Sequence, residues 1–395
     1  MKTLHVWPHG KRVIDGWPTL SATFESSSRK RYLLWYGVDS QWGHALTEHA
    51  DCFALAAIFC AMRTGGSLHV HGSVSPSLMG NLEEFQAVWH CWRPEKCRPV
   101  ELRADIEGEA PRAADTSAVI CYSGGVDSTF TMYRHAVQAN CRRVRRVGAA
   151  VFIQGFDIPM SASDAYERNA NRAEGLLGSI ETPLIRLRTN WRELPGRWTD
   201  AHGAGLGACL HALGAQFSSG LLGSSMPYAR LEPWGSTPMT DRLMSSSRFV
   251  IQDDGAEYDR VGKLRELLGW PEGLAHLRVC WEGKEFDRNC GRCEKCIRTQ
   301  LALRIVGANS LVCFDVAATD SSLATLDISG QERTCRTFAG IIRQAEQAGL
   351  GQENWVQILR ERLQASNSPS HVWMSHLRRQ LSLSKVWTKI RRKCA

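Results

Sequence analysis

The sequence predicts an α/β protein built on a doubly wound parallel sheet, and three observations carry that prediction. From Ala118 onward, apolar β-prone runs alternate with stretches of helical periodicity, the pattern of parallel strands joined by crossover helices. Between the apolar run Ser117 to Tyr122 and the helical stretch Thr129 to Gln138 stands the glycine-bearing turn Ser123-Gly124-Gly125-Val126-Asp127-Ser128. The strands that follow end in polar segments, Gln154-Gly155-Phe156-Asp157 and Ser224-Ser225-Met226-Pro227-Tyr228, where ligands bind in open α/β sheets.

The elements follow in chain order. Leu4 to Trp7, Leu20 to Phe24 and Tyr32 to Tyr36 read as short strands, separated by turn-rich stretches at Pro8-His9-Gly10 and Glu25-Ser26-Ser27-Ser28. Leu46 to Met62 is a helix with small and apolar residues on most faces, stopped by Gly65-Gly66. Ser67 to His71 is a strand, Pro76 to Trp89 a helix with proline in its first turn, and Pro99 to Ala104 another strand. These make an N-terminal mixed α/β module, residues 1–115, with 107–116 as its linker.

In the following domain, residues 116–310, Val147 to Ile153 and Pro183 to Leu187 are the second and third strands, with Ala165 to Leu177 the helix between them. Asp200 to Phe217 is a small-residue-rich helix and Gly220 to Gly223 the strand after it. Tyr228 to Pro238 is a long proline-rich aromatic loop, of a length that is functional or disordered inside a compact domain. Tyr228 or Trp234 offers a face for a flat base, although packing against the sheet is an equally good use of them. Asp241, Asp253 and Asp254 are candidates for recognising ring N–H groups. Leu277 to Trp281 reads as a strand and Cys296 to Ile305 as a helix. Residues 311–395 form a helical extension, with helices at 333–348 and 353–363, a break at 366–370, and a basic amphipathic segment carrying Trp373, Leu377, Leu381 and Trp387.

Composition bounds the class. At 395 residues, 43% hydrophobic and 22% charged, the chain has the make-up of an ordinary globular protein. It has no apolar run of about 18 residues, and its first residues lack a signal-peptide apolar region, so no membrane association and a cytoplasmic location are expected. The net charge of +8 is concentrated: residues 378–395 hold seven Lys or Arg and no acid. Of the 14 cysteines, ten are scattered and read as reduced thiols, many of them small buried hydrophobes.

The turn 123–128 suits anion binding, because glycines let several backbone N–H groups approach one point. Ser123 and Ser128 add hydroxyls, and Asp127 can hold Mg²⁺ against phosphate. No Gly-Lys-Ser/Thr follows, which excludes a Walker A loop, and the three spaced glycines of a dinucleotide fingerprint are absent.

The other four cysteines are Cys280-x9-Cys290-x2-Cys293-x2-Cys296, a spacing that suits tetrahedral Zn²⁺ with Gly291 permitting the sharp turn. A closed four-thiolate shell leaves no open position, so such a zinc would be structural. An iron–sulfur cluster is the rival occupant.

Ser123 to Ser128 closely resembles the Ser-Gly-Gly-x-Asp-Ser signature of the PP-loop, or N-type, ATP pyrophosphatases, which have a HUP-like fold. With the cysteine set about 150 residues later, residues 117–307 resemble the 7-cyano-7-deazaguanine synthase (QueC) group. The resemblance implies that Ser123, Gly124, Gly125, Val126, Asp127 and Ser128 bind ATP with Mg²⁺, and that Cys280, Cys290, Cys293 and Cys296 hold zinc. It implies a ligase-type reaction in which the carboxylate of 7-carboxy-7-deazaguanine is adenylated, pyrophosphate leaves, and ammonia and a second activation give the nitrile. Asp127 and Ser128 are then catalytic, and Arg230 is the first candidate to stabilise charge on the α-phosphate.

Family members of the queuosine pathway begin almost at the loop, whereas this chain carries long additions on both sides. Extended QueC-like proteins resemble those of bacterial anti-phage defence operons, where the same activation joins a deazaguanine to a partner protein. Transfer to a protein amine or amide is therefore expected, with nitrile synthesis from ammonia and an idle ATP-binding assembly subunit as alternatives. The intact loop counts against the last. The basic tail is expected either to dock on the enzyme or a second subunit with its arginines solvated, or to form an electrostatic dock for an acidic protein or nucleic acid. Transfer RNA is not indicated, since no RNA-binding motif or alternation of aromatic and basic residues appears.

Overall fold

The computed structural model describes residues 2–139, 142–280, 282–283, 285–308, 312–326, 328 and 332–366. The basic segment expected beyond residue 367 lies outside the described residues. By packing, the chain divides into two compact units, one running to residue 281 with 285–287, the other comprising 282–284 and the residues from 288 on.

In the first unit, β1 (Thr3–Ile14), β2 (Trp17–Ser26) and β3 (Arg31–Val38) form an antiparallel meander. The structure places the first turn differently from the expectation at Pro8-His9-Gly10. Those residues continue β1, with a register irregularity between His9 and Arg12, and the chain reverses at Asp15-Gly16, both at positive φ. Asp-Gly supplies the backbone twist that a two-residue hairpin loop needs. Pro8 is tolerated because β1 pairs with β4 (Ser67–Val74) only through Thr3 to Val6, so its missing N–H breaks no ladder on that side.

Helix α1 (Asp51–Thr64) starts later than its apolar pattern suggests, after a 3₁₀ turn at Ser40–Ala45. The buried Asp51 carboxylate accepts the backbone N–H of Ser75 at 2.8 Å and its hydroxyl at 2.7 Å. Every α1 residue from Asp51 to Met62 is buried, which explains the lack of a polar face: the helix packs against both the N-terminal strands and α5 (Trp198–Ala212). Helix α2 (Pro76–Trp92) and β5 (Glu101–Glu107) complete the N-terminal elements.

Then follow β6 (Ala118–Cys121), α3 (Val126–Met132), β7 (Val147–Gln154), α4 (Ser163–Gly178), β8 (Leu184–Thr189), α5, β9 (Ser219–Gly223), β10 (Val250–Asp254), α6 (Arg260–Leu267) and α7 (Pro271–Ala275). Among the described residues the ten strands make one mostly parallel sheet, ordered β10-β9-β6-β7-β8-β3-β2-β1-β4-β5. The N-terminal module is thus not separated at residue 115: β3 pairs antiparallel with β8 through Tyr36↔Thr189, Gly37↔Arg188 and Val38↔Leu187. Pairing of two strand edges removes an exposed edge from each half.

From β6 the chain runs outward to β7 and β8, then returns to β9 and β10 on the other side, with all four pairings parallel. The strand order therefore reverses between β6 and β9, and the residues following those two strands stand where open α/β sheets hold ligands.

Two local expectations change. Helix α3 begins at Val126 rather than Thr129, placing Asp127 and Ser128 in its first turn, and continues as a π-helix over Tyr133–Val137. Residues 277–280 are not a strand; the Arg278 N–H instead donates to the Gly124 carbonyl at 2.8 Å.

The second unit contains α8 (Glu294–Ile305), α9 (Asp320–Ala324), α10 (Glu332–Gln347) and α11 (Asn354–Ser366). Its α10 buries Phe338, Ile341, Ile342 and Ala345, one face at helical spacing. No described helix is long and apolar enough to cross a membrane.

Candidate functional site

The 123–128 turn leaves β6 where the strand order reverses. Gly124 sits at φ 73°, a conformation that side chains rarely adopt, and Gly125 is the extended residue before α3. The Ser128 hydroxyl lies at the centre of the turn: the Ser123 N–H donates to it at 3.1 Å, it donates to the Gly125 carbonyl at 3.2 Å, and the Ser123 hydroxyl is 3.2 Å away. The Gly125 N–H donates to the Ser123 hydroxyl at 3.3 Å. These bonds hold the loop's shape without any ligand. Gly223, ending β9, packs so close that a Cβ there would lie 2.6 Å from the carbonyl carbon and oxygen of Asp127.

Asp127 is the electrostatic centre. Lys263, on α6, donates to Asp127 Oδ1 at 2.9 Å and also to the Ser224 carbonyl, and it is only 2% exposed. Arg260, one turn earlier on α6, reaches Asp127 Oδ2 at 3.4 Å. An ammonium is buried at such cost that it needs a carboxylate and a carbonyl to stay charged, and it has both. Two cations thus converge on the loop from an element more than 130 residues downstream.

Arg260 Nη1, on the guanidinium that reaches Asp127, is buried with no hydrogen-bond partner among the described residues. An orphaned guanidinium N–H beside a glycine-rich turn matches a polyanion such as a triphosphate, which accepts through many oxygens. With the backbone N–H groups of the turn, the residues present fit such a ligand. The Asp127 carboxylate, with phosphate oxygens, has the oxygen donors that Mg²⁺ prefers.

Arg230 lies on an exposed 3₁₀ turn, Tyr228–Arg230, and its side chain makes no hydrogen bond or ion pair among the described residues. The cations at the loop are Lys263 and Arg260, missed in the sequence because Asp259-Arg260-Val261-Gly262-Lys263 carries no motif. A signal was nevertheless present: Asp259 caps α6 by accepting the Gly262 N–H at 2.9 Å, the N-cap pattern that announces a helix just after β10.

The candidate base-reading acids have structural partners. Asp241 is fully buried and accepts the Ser236 hydroxyl at 2.6 Å and the Thr237 N–H at 3.1 Å, tying its own loop. Asp254 pairs with His135 at 3.3 Å and Arg134 at 3.5 Å, which hold its carboxyl below the usual range against the effect of burial. Asp253 differs: both carboxylate oxygens are buried with no well-aligned hydrogen-bond partner among the described residues, the nearby Ser224 side chain included. Burial, then the neighbouring Asp241 charge, pushes its carboxyl up, with Ser224 and Lys263 opposing. It sits on the strand end beside the β9 terminus, in register with Leu222.

In the loop after β9, Trp234 is half-buried and meets His202 edge-on at 5.4 Å, while the Tyr228 side chain is exposed. Gln154 is buried and donates to the Pro159 and Met160 carbonyls, so it shapes its turn, and Phe156 packs with Trp191 and Trp198.

The ligand-type sulfurs of Cys280, Cys290, Cys293 and Cys296 all lie within 4.8 Å of one another, with 3.9 Å between those of Cys290 and Cys296. A tetrahedral zinc with bonds of about 2.3 Å requires sulfurs roughly 3.8 Å apart. The Cys293 N–H points at Cys290 Sγ at 3.3 Å and the Cys296 N–H at Cys293 Sγ at 3.5 Å. Gly291, at φ 69°, makes the turn between the first two of these thiols. The cluster could hold a metal such as zinc.

Compared with protein-family models, curated proteins and solved structures, the chain matches none.

Proposed function

We propose that this chain is an ATP-dependent ligase of the PP-loop pyrophosphatase type, which adenylates a carboxylate and passes the acyl group to an amine or amide. The observation that carries this reading is the placement of Ser123 to Ser128 at the strand-order reversal with Asp127 clasped by Lys263 and Arg260. A pyrophosphate leaving group needs anion-binding amides and nearby cations on one wall, and a metal-binding carboxylate among them. Asp127 would hold Mg²⁺, which when bound neutralises charge on the phosphates.

In the proposed reaction a substrate carboxylate oxygen attacks the α-phosphorus and the bond to the bridging oxygen of the β-phosphate breaks, releasing pyrophosphate. An amine nitrogen then attacks the acyl carbon, AMP departs with the C–O bond pair, and the nitrogen loses a proton. Lys263 and Arg260 offset the charge that builds on the phosphates in the first step. The resemblance to QueC-like proteins makes 7-carboxy-7-deazaguanine the first substrate to test, and a partner protein of an anti-phage defence system the acceptor. The four-cysteine cluster, as a zinc site, would serve the fold rather than the reaction.

The test is mass spectrometry after incubating the full chain with ATP, Mg²⁺ and 7-carboxy-7-deazaguanine, with ammonium or with proteins encoded beside it. AMP with a partner gaining the deazaguanine mass supports the whole proposal. Free nitrile with ammonium replaces the protein acceptor by ammonia. No AMP in any mixture overturns the adenylation of this substrate.

A further inference from the structure

The N-terminal strands carry a cluster of imidazoles that the loop chemistry does not use. His69 and His71 alternate with Val70 on β4, so both rings project from one face of the sheet. His5, on β1, is the register partner of His69 and presents its ring to that same face. The ligand-type nitrogens of the three all lie within 4.8 Å of one another. From this geometry we infer a second metal site, a divalent zinc-type ion held by His5, His69 and His71.

The surroundings orient the rings for that task. Asp105, on β5, has Oδ1 2.8 Å from His69 Nε2 and 3.4 Å from His71 Nδ1. Ligating histidines characteristically give their other ring N–H to a carboxylate, which fixes the tautomer. With both of those N–H groups directed at Asp105, the nitrogens left for a metal are His69 Nδ1 and His71 Nε2, joined by His5 Nδ1. His5 Nδ1 and His71 Nε2 already face each other at 2.9 Å, and zinc bonds of about 2.0–2.1 Å place ligand nitrogens roughly 3.3 Å apart. One proton lies between His5 Nδ1 and His71 Nε2, and a metal bound at both nitrogens requires it on His5 Nε2 instead.

The Trp7 ring lies flat on His71, 3.3 Å between centroids and 3° from parallel, and stops it rotating away. Three protein nitrogens leave a fourth position. Trp7 and Asp105 at the rim are exposed, so that position opens to solvent and can take water or a carboxylate from outside.

Cobalt substitution separates this site from the cysteine cluster, because thiolate ligands give charge-transfer absorption and imidazoles do not. The full chain, stripped with chelator and reloaded with Co²⁺, is compared with His71→Gln by metal content and spectrum. The wild type should hold one more ion per chain, and the difference spectrum should lack thiolate charge transfer. Asp105→Asn should weaken that ion's binding by about 10–100-fold. Equal metal content, or a difference spectrum with thiolate bands, overturns the site. Should His71→Gln fail to fold, the wild type alone decides: Zn²⁺ should protect His5, His69 and His71 from diethylpyrocarbonate while leaving exposed His276 reactive, and unchanged modification of the three overturns the site.

Discussion

Lys263 Nζ, 2% exposed, donates to Asp127 Oδ1 at 2.9 Å across 136 residues of sequence. The pair ties α6 to the loop after β6, so the two halves of the proposed anion-binding wall come together only in the folded chain. Lys263→Met keeps the volume but removes the ammonium that donates to the Ser224 carbonyl and to Asp127 Oδ1. We expect stability to fall by about 2–4 kcal/mol and AMP release to fall at least a hundredfold. Urea titration and an AMP assay check this; a variant that turns over like the wild type would remove Lys263 from the reaction.

Asp127→Ala should abolish AMP formation. Arg230→Ala, at an exposed position away from any described partner, should leave the rate within about twofold. Assayed side by side under one set of conditions, the two variants separate the acid and cations clustered at the loop from an arginine placed there by sequence proximity. A large loss in Arg230→Ala would return that residue to the site.

Gly223→Ala introduces a methyl group 2.6 Å from the Asp127 carbonyl. Backbone cannot retreat as a flexible side chain can, so the loop must shift and ATP binding should weaken at least tenfold, with a lower melting temperature. Gly124→Ala has room for its Cβ, with Arg278 Cβ at 3.6 Å, and fails through its φ of 73° instead, costing about 1–2 kcal/mol. Calorimetric ATP titration tests the pair; unchanged affinity in Gly223→Ala would show that the loop does not carry the nucleotide.

Asp253 gives a pH signature. Its folded pKa is raised by burial and by Asp241, so the native state keeps a proton that the unfolded chain has already released. The resulting stability is fully present below the unfolded value near 3.9 and is lost as pH rises toward the folded value. Asp253→Asn removes that dependence while Asp241 keeps its Ser236 and Thr237 donors. Melting temperatures at pH 5 and pH 8 should fall more for the wild type than for the variant; parallel slopes would mean that Asp253 titrates normally.

Cys293→Ser should lower metal content and melting temperature together. Cys293 both caps α8, accepting the Cys296 N–H, and contributes a sulfur to the cluster. Metal analysis alongside thermal unfolding decides it, and unchanged melting in metal-free protein would deny the metal a structural part.

The local pattern alone determined much of this protein. Alternation of strand and helix from Ala118, the glycine turn at 123–128 and the spacing of Cys290, Cys293 and Cys296 each depend on neighbours within a few residues, so periodicity and turn chemistry made them legible. Tertiary structure decided the rest. Pairing of β3 with β8 merges what reads as two domains into one sheet, and strand partners are chosen by burial and edge satisfaction that no local pattern encodes. For the same reason Lys263 and Arg260 reach the loop, Asp241 closes its own turn, and His5 meets His69 and His71. Each such neighbour is set by where the chain returns to the sheet, a long-range geometry in which sequence distance counts for nothing.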